Sequence, residues 1–309
     1  WVHAPLAPTT EFFELVESLA DDGKGVSHVV IPTYALEHKI FAKDALKRWN
    51  KAQLWISPNQ FNFPFRNVPN EYVWGRSNVD GVLSSSDTTT EAAQPSWIDE
   101  IAYETLLAGT FQIGTTKNQR FCETTFYHKS TNTLIVTDAL AKIQSKPPTL
   151  STDDKLLLIS KKSTSDPMPP KTMEALQIGW EKNALLISYF FPEHEELDPE
   201  KQGVVTWTPG WHDNFLNLST RKLFVPPVVR TLLYAQDPTQ VQDWVNRITT
   251  RFENINKIVP AHWDGPIEAT KEDIKDAFIF LKDDTIDPFP EEDLKRGLKF
   301  IADIVYGRR

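Results

Sequence analysis

The chain has 309 residues, 40% hydrophobic and 24% charged, with 18 Phe and 10 Trp, enough to bury a sizeable core as one large or two modest units. A net charge of −9 and a pI near 5.3 argue against nucleic acid as a partner, because phosphate backbones are held by clustered Lys and Arg. The single cysteine, Cys122, excludes an intrachain disulfide and a cysteine-rich zinc module and fits a reducing compartment, as a buried thiol rather than a nucleophile.

Trp1 opens the chain in place of Met, which reads as a mature or trimmed form. Residues 10–20, TEFFELVESLA, start on a capping signal and repeat apolar residues at helical spacing, and SHVVIP then reads as a buried strand. A helix over about 41–49 and the strand AQLWIS follow, so that strand, helix and strand with short links predict a layered α/β architecture. From 58 to 97 Pro, Asn, Ser and Thr break the pattern, which predicts an insertion that packs Phe61, Phe63, Phe65 and Trp74 with little regular structure. A β region covers about 101–138, where CETTFYH, KSTN and TLIVTDAL read as strand, turn and strand, closed by Asp138.

Residues 145–175 are again turn-rich and predict a boundary or excursion. Helical material follows in EALQIGWEKNALLISYFF, VPPVVRTLLYA and PTQVQDWVNRITTRF. A last strand, NKIVPA, leads into the loop HWDGPI, and TKEDIKDAFIFL is a helix capped at Thr270 or Lys271. The longest apolar run, ALLISYFF, falls far below the roughly 20 residues that span a bilayer. With 12 Gly and no Gly-rich phosphate loop, the sequence does not favour nucleotide use.

Candidate ligands stand in loops just after buried strands: Glu37 and His38 after HVVIP, Asp138 after TLIVT, and His262 after NKIVPA. Loops of this kind gather at one edge of a sheet, where residues distant in sequence meet. Two imidazoles and two carboxylates suit zinc, iron or manganese. Each residue alone has a plainer reading: an Asp closing a strand is usually a turn residue, and a lone loop His is usually solvated.

The segments WVHAPLAPT, IPTYALEHKIF, ETTFYHKSTNTLIVTD, LFVPPVVRTLLY and IVPAHWDGPI resemble the family called domain of unknown function 4336, over nearly the whole chain. That family occurs in plants, algae and cyanobacteria and is grouped with the metallo-β-lactamase superfamily. The resemblance implies a single domain over 1–309 with insertions at about 58–97 and 145–175. Its fold would be an αββα sandwich, two mixed β-sheets flanked by helices, with its first strand incomplete.

The resemblance also implies a ligand set. In TYALEH the two leading His positions of the superfamily fall on Thr33 and Ala35, its Asp on Glu37 and its last His on His38. The middle His falls near Glu123, the bridging Asp on Asp138 and the late His on His262. One metal position is thereby lost, and one divalent ion, zinc first or iron or manganese, is expected on Glu37, His38, Asp138 and His262. Glu123 stands open between a further ligand, a partner orienting a ligand, a general base and a solvent-facing strand residue.

Among other histidines, His128 reads as a hairpin residue and His194 as part of a solvated charge run. His212 falls after the bridging Asp, the wrong order for a ligand, and His3 is an outside candidate. Two functions follow from the resemblance. One is a mononuclear metal-dependent hydrolase of an ester, thioester, lactone or amide, with an unknown small-molecule substrate. The other is a non-catalytic protein that binds a partner or joins a larger assembly, peripherally and without a transmembrane segment. The resemblance implies a plastid for either.

Overall fold

The computed structural model describes residues 1–20, 25–60, 68–84, 94–113, 116–201, 203–282 and 289–306. By internal contacts the chain divides into two compact units, Trp1–Thr137 with Thr239–Lys257, and Asp138–Pro238 with Ile258–Arg309.

The first unit begins with β1 (Val2–His3), α1 (Thr10–Leu19), β2 (His28–Ile31), α2 (Ala42–Arg48), β3 (Gln53–Ile56), α3 (Asn70–Val73) and β4 (Gly81–Val82). Thr9 starts α1, its Oγ1 accepting the Phe12 N–H at 3.2 Å. The four strands form one sheet in the order β1-β2-β3-β4 with every neighbouring pair parallel. β4 comes from the stretch read as an insertion, which therefore adds an edge strand and the buried Trp74. Phe61, Phe63 and Phe65, expected to pack beside it, lie outside the described residues.

Strand period 2 sorts the apolar residues onto two faces. Val29, Ile31, Leu54 and Ile56 pack against Ala45, Leu46 and Trp49 on one side, while Val30 and Trp55 face the other way with Trp97 and Phe126. Both faces are covered, which is why HVVI and LWI read as unbroken apolar runs. Next come β5 (Ile101–Ile113), β6 (Thr116–His128) and β7 (Thr133–Ile135), joined as antiparallel neighbours. Asn132, at φ 53°, ends the turn between β6 and β7. Ile101, Phe126 and Ile135 turn inward to Val30 and Trp55, so a single apolar layer joins the two sheets of this unit.

The second unit begins with α4 (Asp153–Ser160), α5 (Met173–Tyr189), β8 (Glu195–Leu197), β9 (Val205–Trp207), α6 (Trp211–Ser219) and α7 (Pro227–Leu232). α4 arises inside the turn-rich 145–175 stretch, and its Leu156 and Leu157 share a core with Leu176, Trp180 and Ala184 of α5. The two helices approach so closely at Gly179 that a Cβ there would lie 2.0 Å from the Leu156 carbonyl oxygen. The PEHEELDPE run, exposed at Glu196, Leu197, Pro199 and Glu200, contains β8, which pairs antiparallel with β9. His194 is accordingly half-buried, with Nδ1 3.2 Å from Thr208 Oγ1.

α8 (Pro238–Arg251) then covers the outer face of β5 and β6 in the first unit. Trp244 Nε1 donates to the Glu104 carbonyl at 3.4 Å, and the Glu104 carboxylate, wholly buried, takes Arg247 at 3.3 Å and Arg251. Phe252 stacks on Tyr127 at 4.8 Å. The layers of this unit are thus helix, sheet, sheet and helix, the expected αββα order.

β10 (Lys257–Val259) and β11 (Ile267–Glu268) are neighbouring strands. α9 (Lys271–Ala277) starts on a capping box in which Thr270 and Asp273 bond each other's backbone. α10 (Glu291–Asp293) and α11 (Phe300–Val305) end the described chain. Among the described residues no helix is long and apolar enough to cross a membrane.

Candidate metal centre

β2 ends where Pro32 and Thr33 meet β6. The Thr124 N–H donates to the Pro32 carbonyl at 2.8 Å, and Thr33 forms an isolated antiparallel bridge with Glu123. Thr33 Oγ1 donates to the Cys122 carbonyl at 2.9 Å and accepts the Ala35 N–H at 3.3 Å. Thr33, expected from the resemblance to fall on a His position, is therefore a backbone clasp. It turns the chain into a short 3-10 turn, Leu36–His38, that brings His38 inward, 4% exposed. Glu37, one residue earlier on the same turn, is exposed.

Cys122 lies under this junction, 2% exposed, and its thiol donates to the Pro58 carbonyl at 2.9 Å. Burial pushes the thiol up to about 12, so it stays protonated at neutral pH and has no part in nucleophilic chemistry. Lys39 next to His38 is also buried, which lowers its ammonium to about 8; its Nζ donates to Gln60 Oε1 at 3.2 Å.

Glu123 is 5% exposed, which removes the solvent-facing reading. Its Oε1 accepts the Thr137 hydroxyl at 2.7 Å, and Thr137 directly precedes Asp138.

Asp138 opens the second unit and is followed by Ala141, which exchanges two backbone hydrogen bonds with Phe224, at 2.9 and 3.1 Å. The segment after Ala141 holds the late loop in place. The Asp264 N–H donates to the Lys142 carbonyl at 3.1 Å, and Gln144 Nε2 donates to Asp264 Oδ1 at 2.7 Å. Trp263, at φ 69°, packs edge-on against Trp180 at 5.8 Å. His262, between these anchors and β10, lies with Nε2 3.3 Å from Asp138 Oδ1.

Within the second unit Asp138 and His262 each offer one ligand atom, a carboxylate oxygen and an imidazole nitrogen 3.3 Å apart. Donors on a tetrahedral ion with bonds of about 2.0–2.2 Å are separated by about 3.4 Å. The Asp138–His262 spacing matches that edge, so nitrogen and oxygen donors of the right kind stand at a fitting separation. Two of the four expected ligands, Asp138 and His262, come together in this way within the second unit; His38, buried, and Glu37, exposed, belong to the first.

The remaining histidines have other tasks. His3 stacks on Trp1 at 5.8 Å, and His128 Nδ1 bonds Thr131 Oγ1 at 2.7 Å. His212, set aside because of its place in the order, has Nδ1 2.9 Å from Oε2 of the buried Glu181. The signal for that pair is Glu181-Lys182-Asn183, a polar run in the middle of an apolar helix.

The family model described as "Domain of unknown function (DUF4336)" matches residues 1–280. Among solved structures, a metallo-beta-lactamase from Pontibacter korlensis is similar at 11% identity, over 91% of this chain and 80% of that chain, with a TM-score of 0.36. No curated protein sequence matches significantly.

Proposed function

The chain belongs to the family described as domain of unknown function 4336, and from that premise we propose that it is a mononuclear metal-dependent hydrolase. The observation that carries the reading is the pairing of Asp138 and His262 in the second unit, carboxylate oxygen and imidazole nitrogen 3.3 Å apart, with His38 proposed as a third ligand from the family resemblance. Three protein donors with a fourth position open are the pattern of catalytic zinc sites. A divalent ion held there, zinc before iron or manganese, would supply Lewis acidity to polarise a carbonyl oxygen and activate water. The substrate class is a small ester, thioester, lactone or amide.

The chain's own residues hold and aim this centre. Asp264 and Trp263 fix the loop that carries His262, and the Thr33 clasp fixes the turn that carries His38. Glu123 acts in this reading as a positioning residue, holding Thr137 and with it the start of the Asp138 segment. Glu123→Gln then lowers the rate without removing a limb of the pH profile; loss of the acidic limb assigns it the role of general base instead. Glu37 stays outside the ligand set.

One observation favours the non-catalytic reading: Thr33 is committed to the backbone and Ala35 has no donor, so the first metal position of the superfamily has no ligands. Metal analysis of the purified protein separates the two. The hydrolase reading expects close to one equivalent of a divalent metal, lost in His262→Ala and Asp138→Ala, and turnover on a panel of esters and thioesters. Absence of stoichiometric metal after supplementation with zinc, manganese and iron defeats it, and recovery of the protein in a larger assembly from native extract then supports the partner reading. Both readings place the protein in a plastid, an assignment that rests on the family resemblance and is tested by the location of a fluorescent fusion to the full precursor.

A further inference from the structure

A second polar centre lies on α5, where Glu181, Lys182 and Asn183 are buried one after another in a largely apolar helix. Glu181, 4% exposed, accepts Gln177 Nε2 at 2.9 Å and His212 Nδ1 at 2.9 Å. Lys182, 2% exposed, donates to the carbonyls of Ser160 at 3.0 Å and Lys161 at 2.7 Å, which close the C-terminal end of α4. Its Nζ lies 5.1 Å from the Trp207 ring centroid and 5.5 Å from that of Trp211. Two carbonyls and two rings orient the ammonium, and among the described residues no carboxylate forms an ion pair with it. Burial lowers it to about 8, with Asp166 opposing from a distance.

These side chains border a cavity of about 410 Å³. Its walls are Trp207, Trp211 and Pro209, and its ionisable lining is entirely basic: Lys162, Lys182 and His212. In a chain of net charge −9 that lining runs against the average. Because Glu181 holds Nδ1 of His212, Nε2 is the nitrogen left for a ligand. Gly210 sets the approach: at φ 112° it turns β9 into α6, and a Cβ there would come within 2.6 Å of the His194 ring. Capping of α4 explains where Lys182 points, but not why two indoles and two further basic groups surround an open space beside it.

We infer that this cavity binds a small organic anion with a flat aromatic body, of the aryl carboxylate class. The ring lies against Trp207 and Trp211, and the carboxylate accepts from the Lys182 ammonium and from Nε2–H of the His212 imidazolium, whose Nδ1–H Glu181 holds. An anion placed there offsets the cost of burying the ammonium without a counter-charge, and the volume is that of a small-ligand site. The inference does not depend on the metal reading.

The test is calorimetric titration of the purified protein with a panel of aryl carboxylates, including benzoate and 1-naphthoate, each paired with its primary amide. At least one acid saturates a single site per chain, and its amide binds about tenfold more weakly or worse. His212→Ala, at a side chain 55% exposed, keeps the wild-type circular dichroism and weakens the acid by about tenfold while leaving the amide unchanged. Trp211→Ala removes binding of both. The inference is overturned if no acid in the panel binds saturably, if acid and amide bind alike, or if folded His212→Ala binds the acid as the wild type does.

Discussion

The two polar centres are built in opposite ways. Asp138 and His262 come from loops at the ends of strands and remain partly open, and the aim of His262 is set by neighbours such as Asp264. Glu181 and Lys182 are consecutive residues of one helix, both buried, and their charges are answered by a histidine on one side and the end of a neighbouring helix on the other. A loop-built centre can change its ligands at small cost to the fold. A helix-built one has its charges fixed into the packing, so a change there reaches stability first.

Substitutions that separate stability from ligand binding sharpen this contrast. The largest effect belongs to Gly179→Ala, which forces a methyl group into the Leu156 carbonyl and lowers stability in chemical denaturation by on the order of 3 kcal/mol. Metal content of the folded fraction stays at the wild-type level; a parallel loss of metal would break the separation.

Next comes pH. Lys182 titrates near 8 when folded against 10.5 for the free side chain, so the unfolded chain binds the extra proton between those values. Stability therefore rises with pH across that window, and below about 8 the full cost of burial is present. Lys39 contributes with the same sign, so the wild type is compared with Lys182→Met. The variant's stability curve from pH 7 to 10.5 is flatter by at most about 3 kcal/mol, and curves of equal slope would refute the assignment.

Asp264→Ala frees the His262 loop without removing a ligand and weakens metal binding, measured by chelator competition, by about tenfold or somewhat more. Unchanged affinity would mean that the loop holds its shape without Asp264. The smallest effect is Glu37→Ala, which leaves metal affinity within about twofold, since an exposed carboxylate outside the group contributes only long-range attraction. A loss comparable to that of His262→Ala would restore Glu37 to the ligand set.

Much of the frame is legible in the sequence because long periodic segments and strong caps survive in the fold: the capping signal before TEFFELVESLA resolves to Thr9, that before KEDIKDA to Thr270 rather than Lys271, and VVI and LWI are buried in their strands. The residues after those strands could be singled out as candidates, but which of them converge could not. Glu37 and His38 are adjacent, and only the 3-10 turn decides that one is exposed and the other buried. Two-residue strands such as β1, β4 and β11 carry no periodicity to read. α4 is hidden by the Pro and Ser that flank it, and α6 by its polar and aromatic makeup. His212 is missed because order along the chain was its only measure, whereas its partner is a glutamate one helix away.

The clasp at Thr33 bears on what a ligand introduced at that position would cost. Its hydroxyl satisfies a carbonyl of β6 and an amide of its own loop in a single stroke, and Gln60 bonds its carbonyl from a third direction at 3.2 Å. Thr33→His combined with Ala35→His would return two imidazoles but withdraw the hydroxyl that ties β2 to β6. Placing imidazoles there thus requires rebuilding a junction as well as replacing two side chains, which makes the present arrangement easier to elaborate than to undo.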